Sequence, residues 1–197
     1  MTRVDRRLTA ALLIGAVFVV VAQASPAAAH TGHSTAGLWT GLTHPLVGVD
    51  HIFAMITVGV LAVTLGRPFL APGSFLAAMS IGGALGIAGM PLPFGETAIA
   101  LSVVALGAAL VAGRAMQPQL ALGLVALAGF VHGHAHGVEA PSAAHPAIYV
   151  IGFLVATASL HLSGVGVGLS VTSRPRTRAT LGALVVGAGV GLVAGVI

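Results

Sequence analysis

The chain contains no cysteine and no lysine, and charged residues occupy only 6% of its 197 positions. Without cysteine it forms no disulfide, thiolate metal site or iron–sulfur cluster. Without lysine it has neither a Walker A phosphate-binding loop nor a Schiff base to retinal or pyridoxal phosphate. These absences exclude ATP hydrolysis by a P-loop and every organic cofactor that is held through cysteine or lysine.

The few charges are mostly of one sign. Eight arginines stand against four acidic residues, while hydrophobic residues make up 57% of the chain. So apolar a chain lacks the polar surface that would cover a water-soluble domain, and it is predicted to be an integral membrane protein of the lipid bilayer. We interpret the arginines as topology signals rather than as a basic patch, so no nucleic-acid partner is expected.

The first 29 residues have the features of a secretory signal peptide. Three arginines among the first seven residues precede an apolar stretch over residues 8–21, and Ala27-Ala28-Ala29 offers a small-residue cleavage site. The mature chain then begins at His30, whose free amine and imidazole together could chelate a divalent cation. The alternative is an uncleaved signal anchor.

About six hydrophobic segments follow, each long enough at about 1.5 Å per residue to cross a hydrocarbon core of about 30 Å. Proline- and glycine-rich breaks separate them, and no connection is long enough for a soluble domain. We therefore predict an all-α fold, a polytopic transmembrane helical bundle in which residues 30–197 form one membrane domain. The predicted helices lie near residues 46–65, 69–90, 94–112, 120–138, 147–170 and 179–197.

The remaining arginines predict the orientation of this bundle. All of them fall in the first, third or fifth connection, which the positive-inside rule assigns to the cytoplasm. Both ends of the mature chain are then expected outside the cytoplasmic (inner) membrane, as a secretory signal also requires. The arginines are Arg67, Arg114, Arg174, Arg176 and Arg178; on the outer side are His30, His33, His44, Glu96, Glu139 and His145.

Glycines recur at four-residue spacing in three of the predicted helices. Such spacing places them on one helix face, where helix backbones can approach closely. The pattern predicts a compact bundle and allows a homo-oligomer that forms through the glycine-rich faces. The repeats are Gly82 and Gly86, Gly164 and Gly168, and Gly187, Gly191 and Gly195.

A first cluster of ionisable residues lies at the start of the first membrane segment, in the run His44-Pro45-Leu46-Val47-Gly48-Val49-Asp50-His51. Ionisable groups inside hydrocarbon cost about 2.5–3.5 kcal/mol each, so those that persist usually face a pathway or a partner. On one continuous helix His44 and His51 would share a face two turns apart, with Met55 one turn further and Pro45 in a first helical position. Asp50 could bind a metal ion directly or orient an imidazole.

A second cluster occupies residues 130–139. If the segment is helical, His132, His136 and Glu139 share a face at spacings suited to chelation, whereas His134 points away. His161 lies well inside the fifth segment, where an unpaired imidazole is hard to accommodate. Single residues also have plainer explanations, since His33, His134 and His145 could be interfacial, Glu96 could cap a helix dipole and Met55 could be core packing.

At these residues the chain resembles the HupE/UreJ family, membrane proteins found with hydrogenase and urease systems and regarded as nickel or cobalt permeases. The resemblance covers nearly the whole mature chain. It implies metal-binding roles for His44, Asp50 and His51, with His132, His136 and Glu139 as companions. The matching residues are His44-Pro45-Leu46, Gly48, Asp50, His51, Met55, Gly59, Pro93-Phe94, Glu96, Phe130 to Glu139, Tyr149, Gly152-Phe153 and Leu160-His161.

Together these patterns predict a permease for a divalent transition metal, nickel or cobalt, with the metal as substrate and no organic cofactor. Nitrogen and carboxylate ligands suit nickel(II), cobalt(II), zinc(II) and copper(II), and ligand type alone does not separate them. The expected ligands are His44, Asp50, His51, His132, His136, Glu139, His161, Glu96 and His30. Because imidazolium does not bind metal, uptake should fall below about pH 6.

Two other functions remain open at this point. A membrane-bound accessory protein or metallochaperone for hydrogenase or urease maturation could use the same ligands. An intramembrane metalloenzyme is a weaker alternative, because the chain has no H-E-x-x-H motif and no repeated H-x-x-H-H motif. We therefore expect a protein that is not an enzyme.

Overall fold

The computed structural model of the protein describes residues 35–139 and 146–196, and within these ranges 86% of the residues are helical and none is in a strand. The predicted signal peptide, His30, His33 and His145 lie outside the described residues. A short 3₁₀ turn, Gly113–Ala115, precedes the fifth helix. The α-helices are α1 (Thr35–Val47), α2 (Val49–Thr64), α3 (Leu70–Ile87), α4 (Gly95–Ala112), α5 (Pro118–Glu139), α6 (Pro146–Val171) and α7 (Pro175–Val193).

The helices α3 to α7 are each long and apolar enough to cross a membrane. The consecutive helices α1 and α2 meet that criterion only as a pair, and they are bent by 81° at the residue between them. The prediction of an all-α polytopic bundle is therefore confirmed. Because lipid offers no hydrogen bonds to the main chain, helices of this length are one of the two structures that can span it.

The bend between α1 and α2 corrects the prediction of one continuous helix through residues 46–65. Gly48 is extended, with φ −77° and ψ 118°, and separates the two helices. Glycine is a poor helix former, and Asp50 in the first turn of α2 favours a helix N-terminus just after it. His44 and His51 therefore do not share a face of one helix, and Pro45 lies inside α1 rather than at its first position.

The last helix also differs from its predicted position. It begins at Pro175 rather than near residue 179 and ends at Val193, before Gly195, which has a φ of +67°. Proline is well suited to the first turn of a helix because its missing N–H would have no partner there. Glycine after the last turn adopts the left-handed conformation that often terminates a helix.

Helix pairs in this bundle touch backbone to backbone. Along the contact of α3 with α5, a Cβ atom on Gly82 would overlap the Phe130 carbonyl, and one on Gly133 would overlap the Met79 carbonyl. The contact of α2 with α6 is equally close at Gly59 and Gly164. Two of the three predicted glycine repeats thus serve packing within the chain, whereas Gly187 of the third has nothing within 4 Å of such an added atom.

Two arginines bind the last carbonyl groups of helices at one end of the bundle. Arg114 Nε donates to the Thr64 carbonyl at 3.4 Å, and Arg178 Nη1 donates to the Leu110 carbonyl at 2.6 Å. A cation is favourable there because helix carbonyls end in partial negative charge. Since α2 has 16 residues and is about 24 Å long at 1.5 Å per residue, these arginines lie far from its first turn, which carries Asp50 and His51.

Candidate metal centre

Four helix ends converge on the histidine-rich region. The last turn of α1 contributes His44, and the first turn of α2 contributes Asp50 and His51. The last two turns of α5 contribute His132, His136 and Glu139, and the first turns of α6 contribute Tyr149 and Phe153. The bend at Gly48 makes this possible, because it lets α1 and α2 approach the same region from different directions.

The first candidate site consists of His44, His136 and Glu139, which we name the outer triad. His44 Nε2 lies 2.9 Å from His136 Nδ1, and Glu139 Oε2 lies 3.5 Å from the former and 3.4 Å from the latter. The side chain of Glu139 is 59% exposed, that of His44 34% and that of His136 12%. Two imidazoles and a carboxylate at these distances form a set that a divalent transition metal can use.

The second candidate site, Asp50, His51 and His132, we name the buried triad. Asp50 Oδ1 lies 3.4 Å from His51 Nδ1, and His51 and His132 are buried, whereas the side chain of Asp50 is 25% exposed. His132 Nδ1 donates to the Ala128 carbonyl at 2.8 Å, while its Nε2 has no hydrogen-bond partner. A histidine whose one nitrogen is fixed by a carbonyl presents the lone pair of the other, which is the usual arrangement of a metal-binding histidine.

The two triads touch each other through two histidines. Nε2 of His136, from the outer triad, is in direct contact with Nε2 of His51, from the buried triad. The ring centroids of this pair are 4.1 Å apart, and those of His51 and His132 are 4.8 Å apart. Four imidazoles therefore form a continuous row that leads from the exposed Glu139 to the fully buried His132.

Aromatic side chains of α6 cover this row on one side. The ring of Phe153 lies 4.7 Å from that of His136 and 6.0 Å from that of His51. Tyr149 lies one turn earlier, and its buried hydroxyl has no partner. A cavity of about 160 Å³ opens beside His136 and both aromatic rings, between α3, α5 and α6. Tyr149 and Phe153 carry part of the family resemblance but were not predicted to belong to the site, although their spacing of four places them on one helix face.

The surroundings of the triads favour positive charge. Asp50 and Glu139 supply two carboxylates. Arg114 and Arg178 bind main-chain carbonyls at the far ends of α2 and α4. The C-termini of α1 and α5 contribute partial negative charge and the N-termini of α2 and α6 contribute partial positive charge, so the two carboxylates decide the local charge. Discontinuous membrane helices of this kind commonly form the ion and substrate sites of transporters.

The structure divides the predicted ligands differently from the sequence analysis. His132 was grouped with His136 and Glu139 on one face of α5, but it belongs to the buried triad, and His44 belongs with His136 rather than with Asp50 and His51. His134 is buried, and its Nε2 donates to the Met90 carbonyl at 2.7 Å. Glu96 is exposed in the first turn of α4, outside both triads, and His161 is buried deeper in α6.

The fold and this site together define a class, that of a polytopic α-helical membrane protein with a row of histidines and carboxylates at one end of its bundle. The chain belongs to the HupE/UreJ family, because the family described as HupE / UreJ protein matches residues 17–192. That family is linked to nickel and cobalt accessory functions of hydrogenase and urease systems.

A relative supports the family assignment. The chain is 41% identical over 155 residues to Protein HupE of Rhizobium leguminosarum bv. viciae, covering 78% of this chain and 81% of the relative. No solved structure matches the chain.

Proposed function

We propose that this protein is a permease that carries a divalent transition-metal cation, nickel(II) or cobalt(II), into the cell. The observation that supports it best is the contact between the two triads, whose histidines become steadily more buried from His44 through His136 and His51 to His132. An ion at the outer triad keeps access to water, whereas an ion at the buried triad has exchanged much of that water for nitrogen and oxygen ligands. Successive sites of this kind allow stepwise dehydration.

The ligand chemistry narrows the choice of ion. Imidazole and carboxylate without thiolate favour nickel(II), cobalt(II), zinc(II) and copper(II) over soft copper(I). The family's link to hydrogenase and urease systems favours nickel or cobalt among these. The name of the relative specifies no metal, so the choice between the two rests with experiment.

In the proposed orientation the triads face the outside of the cytoplasmic membrane, and the arginine-bearing connections face the cytoplasm. The membrane potential then favours inward movement of the ion. Two charges that cross roughly 100 mV gain about 4.6 kcal/mol, equivalent to about three orders of magnitude in concentration. An ATPase is not required for accumulation of this size.

The direct test is metal uptake by cells that lack their own nickel and cobalt transporters. We expect cells that express the wild-type chain to accumulate radioactive nickel(II) or cobalt(II), and cells that express His51→Ala to remain at background, because His51 joins the two triads. Thr43→Val is the matched control, since its hydroxyl donates only to main-chain carbonyls of Trp39 and Thr40 beside the site. Its uptake should equal that of wild type.

Metal binding by the purified proteins separates the alternatives. If the wild-type chain gives no more uptake than His51→Ala, the permease proposal is wrong. Binding of nickel(II) that is retained without uptake would then favour an accessory protein that holds metal for hydrogenase or urease maturation. Absence of both uptake and binding would refute a metal-handling role at these triads.

A further inference from the structure

Two polar side chains lie deep in α6, apart from both triads. Thr157 and His161 are 0% and 1% exposed, and Thr157 Oγ1 and both ring nitrogens of His161 have no hydrogen-bond partner. Because the two residues are four positions apart on a helix, their side chains project from the same face. We name them the deep pair.

The hydroxyl of Thr157 differs from several others in the described helices. Thr64, Ser80 and Ser159 each donate their hydroxyl to the carbonyl four residues earlier, which is how a hydroxyl in an apolar helix is normally satisfied. Thr157 makes no such bond. Its hydroxyl therefore remains able to bind a group that does not belong to its own helix.

One aromatic ring connects the deep pair to the row of histidines. The ring of Phe75 in α3 lies 5.9 Å from that of His132 and 4.9 Å from that of His161. His161 also lies two turns beyond Phe153 in α6, or about 12 Å further along the helix at 1.5 Å per residue. The deep pair thus continues the line from the outer triad through the buried triad toward the opposite end of the bundle.

The deep burial of polar side chains that have no hydrogen-bond partner requires an explanation. Buried polar groups are almost always hydrogen-bonded, and ionisable residues within membrane segments usually mark ion pathways. Three polar atoms without partners belong to two residues on one face of α6. A fourth, His132 Nε2, lies on the other side of Phe75. Packing alone does not account for this concentration of free donors and acceptors.

We propose that the deep pair is a separate binding site for a divalent transition-metal cation. One ring nitrogen of His161 is the protein ligand, and the hydroxyl of Thr157 hydrogen-bonds a water molecule that the ion retains. The assignment rests on the proposed permease function for its role as a transit site, but binding at the pair can be measured without transport.

The test counts metal ions bound to the full chain in detergent. Equilibrium dialysis against cobalt(II) should give one equivalent fewer for His161→Leu than for wild type. Thr157→Val replaces the hydroxyl with a methyl group of the same size. It should lower the affinity for one of the bound cobalt(II) ions by about 10–100-fold, as loss of an orienting partner does. Ser159→Ala is the matched control, because its hydroxyl is already bound to the Val155 carbonyl, and it should bind cobalt(II) as wild type does.

Each outcome is informative. An unchanged number and affinity of cobalt(II) ions in both His161→Leu and Thr157→Val would overturn the proposal and leave the pair as a site for a structural water. If His161→Leu does not fold, Thr157→Val decides alone. If the wild-type chain binds cobalt(II) but carries none into cells, the permease proposal is wrong. The dialysis measurements then decide alone whether the deep pair binds metal.

Discussion

At the scale of single residues, the three histidines that alternate along α5 differ in their surroundings. His132 presents a free Nε2 within the buried triad, and His136 touches a histidine of each triad through its two nitrogens. His134, between them in sequence, faces the opposite direction and donates to the carbonyl of Met90 in the connection between α3 and α4. Two of these histidines are therefore candidate metal ligands, and the third has a structural hydrogen bond.

Substitution of His134 and His136 should therefore separate stability from metal binding. His134→Leu should lower the free energy of unfolding by about 1 kcal/mol, because one hydrogen bond is lost, while nickel(II) binding is retained. His136→Leu should weaken nickel(II) binding at least about tenfold, whereas its cost to the stability of the metal-free protein, through the lost contact with His44, should be similar to that of His134→Leu. Thermal unfolding and equilibrium dialysis in detergent measure both effects. Loss of nickel(II) binding in His134→Leu at an unchanged melting temperature would contradict this assignment.

The residues that form the two triads could be singled out from sequence, but their grouping could not. Histidines and carboxylates in apolar segments stand out because they are costly there. Which of them meet depends on the angle between α1 and α2, and a sequence pattern indicates helical spacing but not a bend of 81°. For this reason His44 was assigned to the face of His51, whereas it contacts His136 instead.

At the scale of helices, the close contact of α3 with α5 holds the ligands of α5 in position. Gly133 lies directly between His132 and His134 and packs its Cα against the backbone of Met79. Any side chain there would push the two helices apart. The position of His132 and His136 relative to α2 therefore depends on a residue that has no side chain of its own.

Two glycine substitutions in α5 test this dependence. Gly133→Ala should destabilise the protein by about 1–3 kcal/mol, as overpacking does, and should weaken cobalt(II) binding. Gly123→Ala, in the same helix, has nothing within 4 Å of the added atom, so it should leave binding unchanged and stabilise the helix by up to about 1 kcal/mol. Denaturation in detergent and dialysis supply both readouts. Equal stability of the two variants would show that the helix contact is not tight.

Hydrophobicity and breaks in the sequence predict the presence of membrane helices better than their ends. Helix α1 was not predicted, because residues 35–45 contain two glycines and three threonines and form no long apolar run. Its packing on α6, where a Cβ on Gly41 would overlap the Tyr149 carbonyl, supports it instead. Such tertiary contacts outweigh intrinsic helix propensity and are not visible in a single segment.

At the scale of the whole molecule, the ligands and the arginines occupy opposite ends of α2. Asp50 and His51 are in its first turn, and Arg114 binds the carbonyl of Thr64 at its last turn. This separation gives the bundle two chemically different ends. The proposed orientation, with the arginine end in the cytoplasm, follows from the positive-inside rule and awaits measurement.

The absence of cysteine makes the orientation easy to measure, because a single introduced cysteine has no competing thiol. Thr97, in the first turn of α4, and Ser173, in the connection between α6 and α7, are both exposed and should face opposite sides of the membrane. A membrane-impermeant maleimide should label Thr97→Cys in intact cells, and Ser173→Cys only after the cytoplasmic membrane is permeabilised. The cysteine-free wild type is the control for background labelling. The reverse labelling pattern would show that the protein has the opposite orientation.

The contacts between the triads also constrain how the protein is made. His44 is 92 positions from His136, and His51 is 85 positions from the same residue. During synthesis the ribosome therefore delivers the two halves of the candidate metal centre at separate times, and neither triad is complete until α5 has joined α1 and α2. A nascent chain therefore lacks both complete triads, and an ion that binds only the completed triads would stabilise the assembled bundle over partly inserted forms.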